Sequence, residues 1–335
     1  MVCGVPAELL PAVMPRLSRK PSLGRPRSFA TAAASVLLLA SACGSTATSS
    51  GPVTPGAKRP ALPENIVADS ALPLHALIEG KQKLAEPDLW ERLASSRVIC
   101  FGEQHDSPEH HFAQRRALEE LATRSAAVQR PLSVGFEMFQ RPFQPALTGF
   151  VAGTVPEAQF LADSEYRERW GFDFALYRPL LLTAREFSLE ALALNAPKEL
   201  TRKIGRGGLA ALDASEAKQL PELDLGDAAH KAYFNAAMGD HPMSEGGPSL
   251  ENMYAAQVVW DETMADTAAS WLAKSGDTSQ LIVFAGAGHC HESAVPARIS
   301  RRVNLPVLSI TPVLQSQLAE FESHHLYDWL IVLED

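Results

Sequence analysis

From about residue 90 the chain alternates short apolar runs with helical stretches. RVICFG, LSVGFEMF, EALALNA, QLIVFAGAG, LPVLSIT and WLIVLE are rich in Val, Ile, Leu and Phe and are apolar at nearly every position. Runs of this kind suit strands buried on both faces, as in a parallel sheet covered by helices on each side. Helix signals lie between them. Ser107 and Pro108 open PEHHFAQRRALEELA with a capping hydroxyl and a proline at the first helical position. YRPLLLTAREFS precedes EALALNA, and APKELTRKIG follows it. The pattern predicts a three-layer α/β/α domain with a mainly parallel sheet.

One stretch breaks the rhythm. No strand pattern appears between about 206 and 274, where two helices flank the loop GDHPMSEGGPS. This predicts a helical insertion capping one edge of the sheet. Its Met and aromatic side chains, among them Tyr233, Phe234, Tyr254 and Trp260, are expected to pack the hairpin.

The N-terminal segment has a different character. Arg16, Arg19, Lys20, Arg25 and Arg27 precede the apolar run FATAAASVLLLA, which stops at ASAC. A basic region, a short apolar region and small residues in this order read as a secretory signal over residues 1–42. The run is too short to span a bilayer. LLLASAC resembles a bacterial lipobox with Ala40 where leucine is commoner, and Cys43 is then the lipidated residue. Met14 is an equally serviceable start. Residues 43–70 are rich in Ser, Thr, Pro and Gly and predict a flexible tether, leaving 71–335 as the folded domain. Gly44 follows Cys43, with no aspartate to favour inner-membrane retention. The expected location is therefore the cell envelope, lipid-anchored, at the outer membrane facing the periplasm.

Composition narrows the partners. The 335 residues carry a formal charge of −9 with 46% hydrophobic content, enough for a large core. No basic stripe with interleaved aromatics appears, which excludes nucleic acid as an expected partner. Cys100 and Cys290 alone remain for the fold once Cys3 and Cys43 are set aside, and two buried free thiols are their expected state.

The chemistry gathers where the strands end. Glu103 and His105 follow the first run, Glu137 ends the second, and His289 ends a later one in FAGAGHCH. Ligands of open parallel sheets bind beyond the carboxyl ends of the strands, so these residues are predicted to converge there. Glycines 102, 286 and 288 accompany them and permit close approach. The set Glu103, His105, Glu137 and His289 suits acid/base catalysis. Glu103, His105 and His289 also suit a divalent metal. A hydrogen-bonded network tying the strand ends together is the structural alternative. His110 and His111 occupy the first turn of the following helix, where the helix dipole favours neutral imidazoles. Each taken alone reads as a solvated histidine, and His110 is also a candidate ligand-binding residue. Tyr254, Gln257, Asp261 and Met264 share one face of the helix in YAAQVVWDETMA.

GEQHD before a His-containing helix, FEM on the next strand, YAAQVVWDETMA, and AGAGH before VPARI together resemble the ChaN-type haem-binding lipoproteins. That family belongs to a superfamily with the Tiki proteases and the erythromycin-esterase-like proteins, and the resemblance covers roughly residues 90–315. It implies an envelope protein that binds haem for iron uptake, with a possible homodimer in which two haems face each other. It also implies a tyrosine on the haem iron. Tyr166, Tyr177, Tyr233 and Tyr254 are available, and Tyr254 on the insert is the leading candidate, with His110, Gln257 and Asp261 nearby. Superfamily relatives use the matching Glu103, His105, Glu137 and His289 positions as a hydrolytic or metal centre. A hydrolase therefore stands as the second expectation.

Overall fold

Every apolar run enters one sheet. A computed structural model describes residues 75–78, 82–238, 247–322 and 326–334. The expected signal over 1–42, the lipidation residue Cys43 and the tether over 43–70 lie outside the described residues. The strands are β1 (His75–Ile78), β2 (Gln82–Ala85), β3 (Val98–Glu103), β4 (Leu132–Gln140), β5 (Glu190–Asn195), β6 (Gln280–Gly286), β7 (Leu308–Leu314) and β8 (Trp329–Leu333). They form an eight-stranded sheet in the order β2-β1-β8-β7-β3-β6-β4-β5. The block from β8 to β5 is parallel throughout. Only β1, which pairs with β2 and β8, runs antiparallel to its neighbours. This is the mainly parallel α/β fold that the runs predict.

Helices cover both faces. In chain order they are α1 (Glu86–Ser95), α2 (Pro108–Ala127), α3 (Gln144–Val151), α4 (Glu157–Asp163), α5 (Tyr166–Arg169), α6 (Phe174–Glu186), α7 (Lys198–Gly207), α8 (Ala214–Ala217), α9 (Ala228–Met238), α10 (Leu250–Ser275), α11 (Ala287–Cys290), α12 (Val295–Val303) and α13 (Leu318–Glu322). Ser107 caps α2 as its type predicts, accepting the His110 N–H at 3.3 Å.

Strand alternation divides the core in two. Ile99, Phe101, Val134, Phe136, Ile282 and Phe284 point to the face covered by α1, α2, α3, α4 and α6. Val98, Cys100, Leu192, Leu194, Leu281 and Val283 point to the other, where α10 and α12 pack. Each face is apolar, which is why the strand runs carry no polar alternation.

Three expectations change here. The helical insertion is shorter than 206–274, because Met264, Ala265, Ala268 and Leu272 of α10 belong to the sheet-facing core. The second half of α10 is thus an ordinary crossover helix between β5 and β6, and only its first half with α9 caps the sheet edge. QLIVFAGAG does not stay extended to its end, since β6 stops at Gly286 and AGHC turns into α11. Cys100 and Cys290 are not free thiols: they form a disulfide across a sequence separation of 190.

Phe284 lies at the middle of the sheet, fully buried, with ring centroids 6.1 Å from Phe101 and 6.0 Å from Phe136. Phe284→Ala leaves a cavity there that strands on either side cannot close. It is expected to cost about 3–5 kcal/mol, read as a lowered urea midpoint with an unchanged far-UV spectrum at low denaturant.

Candidate functional site

The two glutamates leave the sheet on opposite faces. Glu103 continues the side of Ile99 and Phe101, whereas Glu137 falls between Phe136 and Met138 and points towards α10. Each is buried and each has acquired imidazole partners. Glu103 Oε1 accepts from His105 Nδ1 at 2.8 Å and from the Tyr177 hydroxyl at 2.8 Å, while His111 Nδ1 lies 3.6 Å from Oε2. Burial pushes the Glu103 pKa up, but His111, His105 and Tyr177 outweigh it and bring it down to about 2. His105 is the complement: burial opposes its charge, and Glu103 and Glu137 raise its pKa all the same.

On the other face Glu137 Oε2 accepts the Gly286 N–H at 2.7 Å, and its Oε1 lies 3.3 Å from His289 Nε2. His289 Nδ1 donates to Asp261 Oδ1 at 2.5 Å. Both ring nitrogens of His289 therefore face carboxylates. Burial works against the imidazolium, yet Glu137 and Asp261 raise the His289 pKa well above its ordinary value. Asp261, with no exposed surface, is held far towards the anion by His289 and His230 despite its burial. Its Oδ2 accepts from His230 Nε2 at 2.7 Å. His230 Nδ1 lies 3.2 Å from both Arg298 Nη2 and the Tyr254 hydroxyl, two donors that make this nitrogen an acceptor.

The two halves meet over the end of β6. A Cβ built on Gly286 comes within 2.8 Å of His105 Cε1 and 2.9 Å of His105 Nε2, and within 3.6 Å of Glu137 Oε2. Only a residue without a side chain lets the His105 ring lie there, which is the physical reason for glycine at this strand end. Trp170 and Phe172 hold the ring from the far side, with centroids 4.7 and 4.9 Å away.

A cavity of about 380 Å³ opens above this floor. Glu103, His105, Glu137 and His289 line its base, Gln257 and Tyr233 one side, and Met138, Trp170, Phe234 and Trp260 its apolar walls. Arg169 and Lys198 bring positive charge to it from α5 and α7. The volume is that of a small-molecule site.

The strand ends thus bring Glu103, His105, Glu137 and His289 together, and α10 adds Gln257, whose amide lies 3.1 Å from His289 Nδ1. Asp261 stands one layer behind them. Two other candidates lie elsewhere. Tyr254 is buried behind the wall and does not border the cavity, because its ring packs against Phe234 and His230 and its hydroxyl is spent on His230. Burial pushes its pKa up to about 12. His110 is buried rather than solvated, as is His111. His110 Nδ1 accepts the Gln104 N–H at 3.0 Å, which closes the turn before α2, and burial lowers its pKa to about 4. It too lies outside the cavity lining.

The divalent-metal expectation for Glu103, His105 and His289 is not supported. The imidazole nitrogens nearest the carboxylates carry protons towards them, so the donors are paired with one another. No group of three or more His, Cys, Asp or Glu side chains is arranged to hold a metal ion among the described residues. His230, Arg298 and Trp170 are not legible as site residues in the sequence, nor is the pairing of Tyr177 with Glu103. Each lies far along the chain from its partner, Trp170 just after α5 and the others on helices, and a helix face alone does not say which strand end it meets.

This geometry defines a parallel α/β protein with a ligand cavity on paired carboxylates and imidazoles at the strand ends. The chain belongs to the family described as haem-binding uptake, Tiki superfamily, ChaN, which matches residues 89–299. A solved structure described as cofacial heme binding to ChaN of Campylobacter jejuni is similar at 16% identity and a TM-score of 0.61. The match covers 78% of this chain and 98% of that one. An erythromycin esterase in its open conformation matches at 9% identity and a TM-score of 0.39, over 68% of this chain and 73% of its own. A toxin effector domain from Vibrio vulnificus matches at 16% identity and a TM-score of 0.36, over 66% of this chain and 35% of its own. No curated protein sequence matches significantly.

The buried imidazoles set the acid limit of the fold. His110, lowered to about 4, and His291, lowered to about 3 by burial, are neutral in the folded chain but titrate near 6.5 when unfolded. Between those values the unfolded chain binds more protons, so their contribution is present above about pH 6.5 and is lost as pH falls. Glu103 adds a second loss from about 4.5 down to about 2. His105 and His289, whose pKa values are raised, keep their contribution below 6.5 and lose it only as pH rises through their folded values. The urea midpoint is therefore expected to fall between pH 6.5 and 4.5. An unchanged midpoint over this interval rules the assignment out.

Proposed function

We propose that this chain is a haem-binding lipoprotein of the bacterial envelope that takes part in haem-iron uptake. The observation that carries the reading is the coincidence of its family with a cavity whose walls are aromatic and whose lining includes Arg169 and Lys198. A porphyrin needs apolar surface for its ring and positive charge for its carboxylates. Trp170, Phe234, Trp260 and Met138 offer the first, and Arg169 and Lys198 the second. Of the four tyrosines considered, Tyr233 is the one that lines the cavity. It replaces Tyr254 as the residue to hold ferric iron, to which a phenolate is a hard anionic ligand. Burial raises the Tyr233 pKa, so the phenol keeps its proton in the free chain and a ferric ion, when bound, would displace it. Haem, when bound, supplies the iron that is to be delivered; the chain supplies walls, ligand and counter-charge. The related Campylobacter jejuni protein is described as binding haem cofacially, and a homodimer bringing two cavities together is the corresponding arrangement for this chain.

Export and anchoring rest on residues 1–43. The signal over 1–42 and lipid on Cys43 place the domain at the outer membrane, facing the periplasm. The Cys100–Cys290 disulfide supports that compartment, since such bonds persist outside the reducing cytoplasm. No helix of the described residues is long and apolar enough to cross a membrane, and the anchor in this reading is the lipid.

A second reading is a hydrolase using Glu103, His105, Glu137 and His289. What favours it is the pair of carboxylate–imidazole units meeting at Gly286, an arrangement that can hold and move a proton beside a bound water.

Titration with ferric haem separates the two. Wild type is expected to saturate with a defined Soret band, Tyr233→Phe to shift or abolish the band, and Tyr254→Phe and Glu103→Gln to leave it largely intact. A hydrolase shows the reverse, losing turnover with Glu103→Gln and not with Tyr233→Phe. Wild-type binding no stronger than that of an unrelated acidic protein ends the haem reading. For the anchor, Cys43→Ser is expected to move the protein from the membrane to the soluble fraction, and unchanged fractionation sinks the lipoprotein assignment.

A further inference from the structure

Strand β6 leaves the sheet at Gly286, and His289 is carried by the four-residue turn α11 that follows. So short a helix has no stability of its own. Its position depends on what ties it down. The Tyr327 hydroxyl donates to the Ala287 carbonyl at 3.0 Å, and the Ser309 hydroxyl donates to the Cys290 carbonyl at 2.5 Å. Besides the polar contacts of His289 itself, a further tie is covalent: Cys290, next to His289, is bonded to Cys100, three positions before Glu103 on β3.

The sheet does not need this bond to align its strands. Cys100 already stands opposite Val283 of β6 and Ser309 of β7 in the parallel register. What strand pairing leaves undetermined is α11, which begins after the last β3–β6 pair, Glu103 with Gly286. The disulfide spans that gap. Both cysteines are fully buried among Leu194, Val283 and Val295, so the folded chain shields the bond from reductants.

We propose that the Cys100–Cys290 disulfide is a positioning element of the strand-end site, fixing α11 so that His289 stands between Glu137 and Asp261. The site is then complete only in the oxidised chain. Forming the bond takes two protons and two electrons from the thiols and passes them to a disulfide-exchange oxidant, which is released as the dithiol. A chain that has not met such an oxidant keeps its sheet but not the placement of His289. The inference rests on the reading of His289 as part of the functional site, and it makes assembly of that site follow export.

The test compares the full oxidised chain with Cys100→Ser/Cys290→Ser and with Cys100→Val/Cys290→Ala, the second retaining apolar volume in the core. The readout is nuclear magnetic resonance of the His289 ring N–H groups, assigned by their loss in His289→Gln. With both nitrogens held by carboxylates, the oxidised chain is expected to show two slowly exchanging, downfield ring N–H signals. Both double variants are expected to keep the far-UV spectrum and cooperative unfolding while losing these signals, and their haem affinity is expected to fall about tenfold or more. Folded variants that retain the His289 signals overturn the proposal. So does failure of both variants to fold, which assigns the bond to the stability of the whole domain. Loss of the signals with no haem binding by wild type leaves the positioning role standing and removes the haem reading alone.

Discussion

A buried carboxylate must find a partner, and three of them at one edge of this sheet must find partners close together. Glu103, Glu137 and Asp261 are all within the protein. Unpaired, each carries a desolvation penalty that no packing offsets. The chain answers with an imidazole for each: His105 for Glu103, His289 for Glu137 and Asp261, and His230 for the second oxygen of Asp261. Carboxylate and imidazole alternate from β4 across α11 and α10 to α9. Removing any member takes a partner from a buried charged neighbour, so the members of the network are coupled.

The period of the strand explains why the network has two halves. Glu103 and Glu137 face opposite sides of the sheet, so each draws partners from a different helical layer. Tyr177 of α6 and His111 of α2 serve the first, and Asp261 of α10 with His289 of α11 the second. No partner passes through the sheet. The halves meet only around its edge, where Gly286 has no side chain to keep the His105 ring away from Glu137. α9 is joined to the network through His230, and its Tyr233 and Phe234 border the cavity above that edge.

How much of this is legible in sequence follows from the range of each interaction. Six strands are visible because burial on both faces leaves unbroken apolar runs, and the strand-end residues stand out against them. The four-residue strands β1 and β2, HALI and QKLA, give no such contrast. On α10 the periodicity correctly groups Tyr254, Gln257 and Asp261, and their partners are on α9 and α11. Whether that face borders a cavity is decided by α9, which covers Tyr254 with Phe234 and His230 and turns Tyr233 to the open side. The same limit hides the disulfide. Two cysteines inside apolar stretches look like small core residues, and only the turn of α11 after β6 brings Cys290 to Cys100.

The pairing also decides what the cavity can hold. A chain of formal charge −9 with glutamates on its cavity floor is at first sight a poor host for a porphyrin with two carboxylates. Charge that is matched locally, however, has little reach. His105 and His289 are drawn to their protonated forms by the same carboxylates they neutralise. The floor thus presents alternating dipoles rather than a negative surface, while Lys198 and Arg169, the latter paired with Glu165 and Glu199, line the cavity. A proton-handling centre and an anion-tolerant binding site accordingly make the same demand on the strand ends. A fold that satisfies it for one can be turned to the other by changing the walls, which here are Trp170, Phe234 and Trp260.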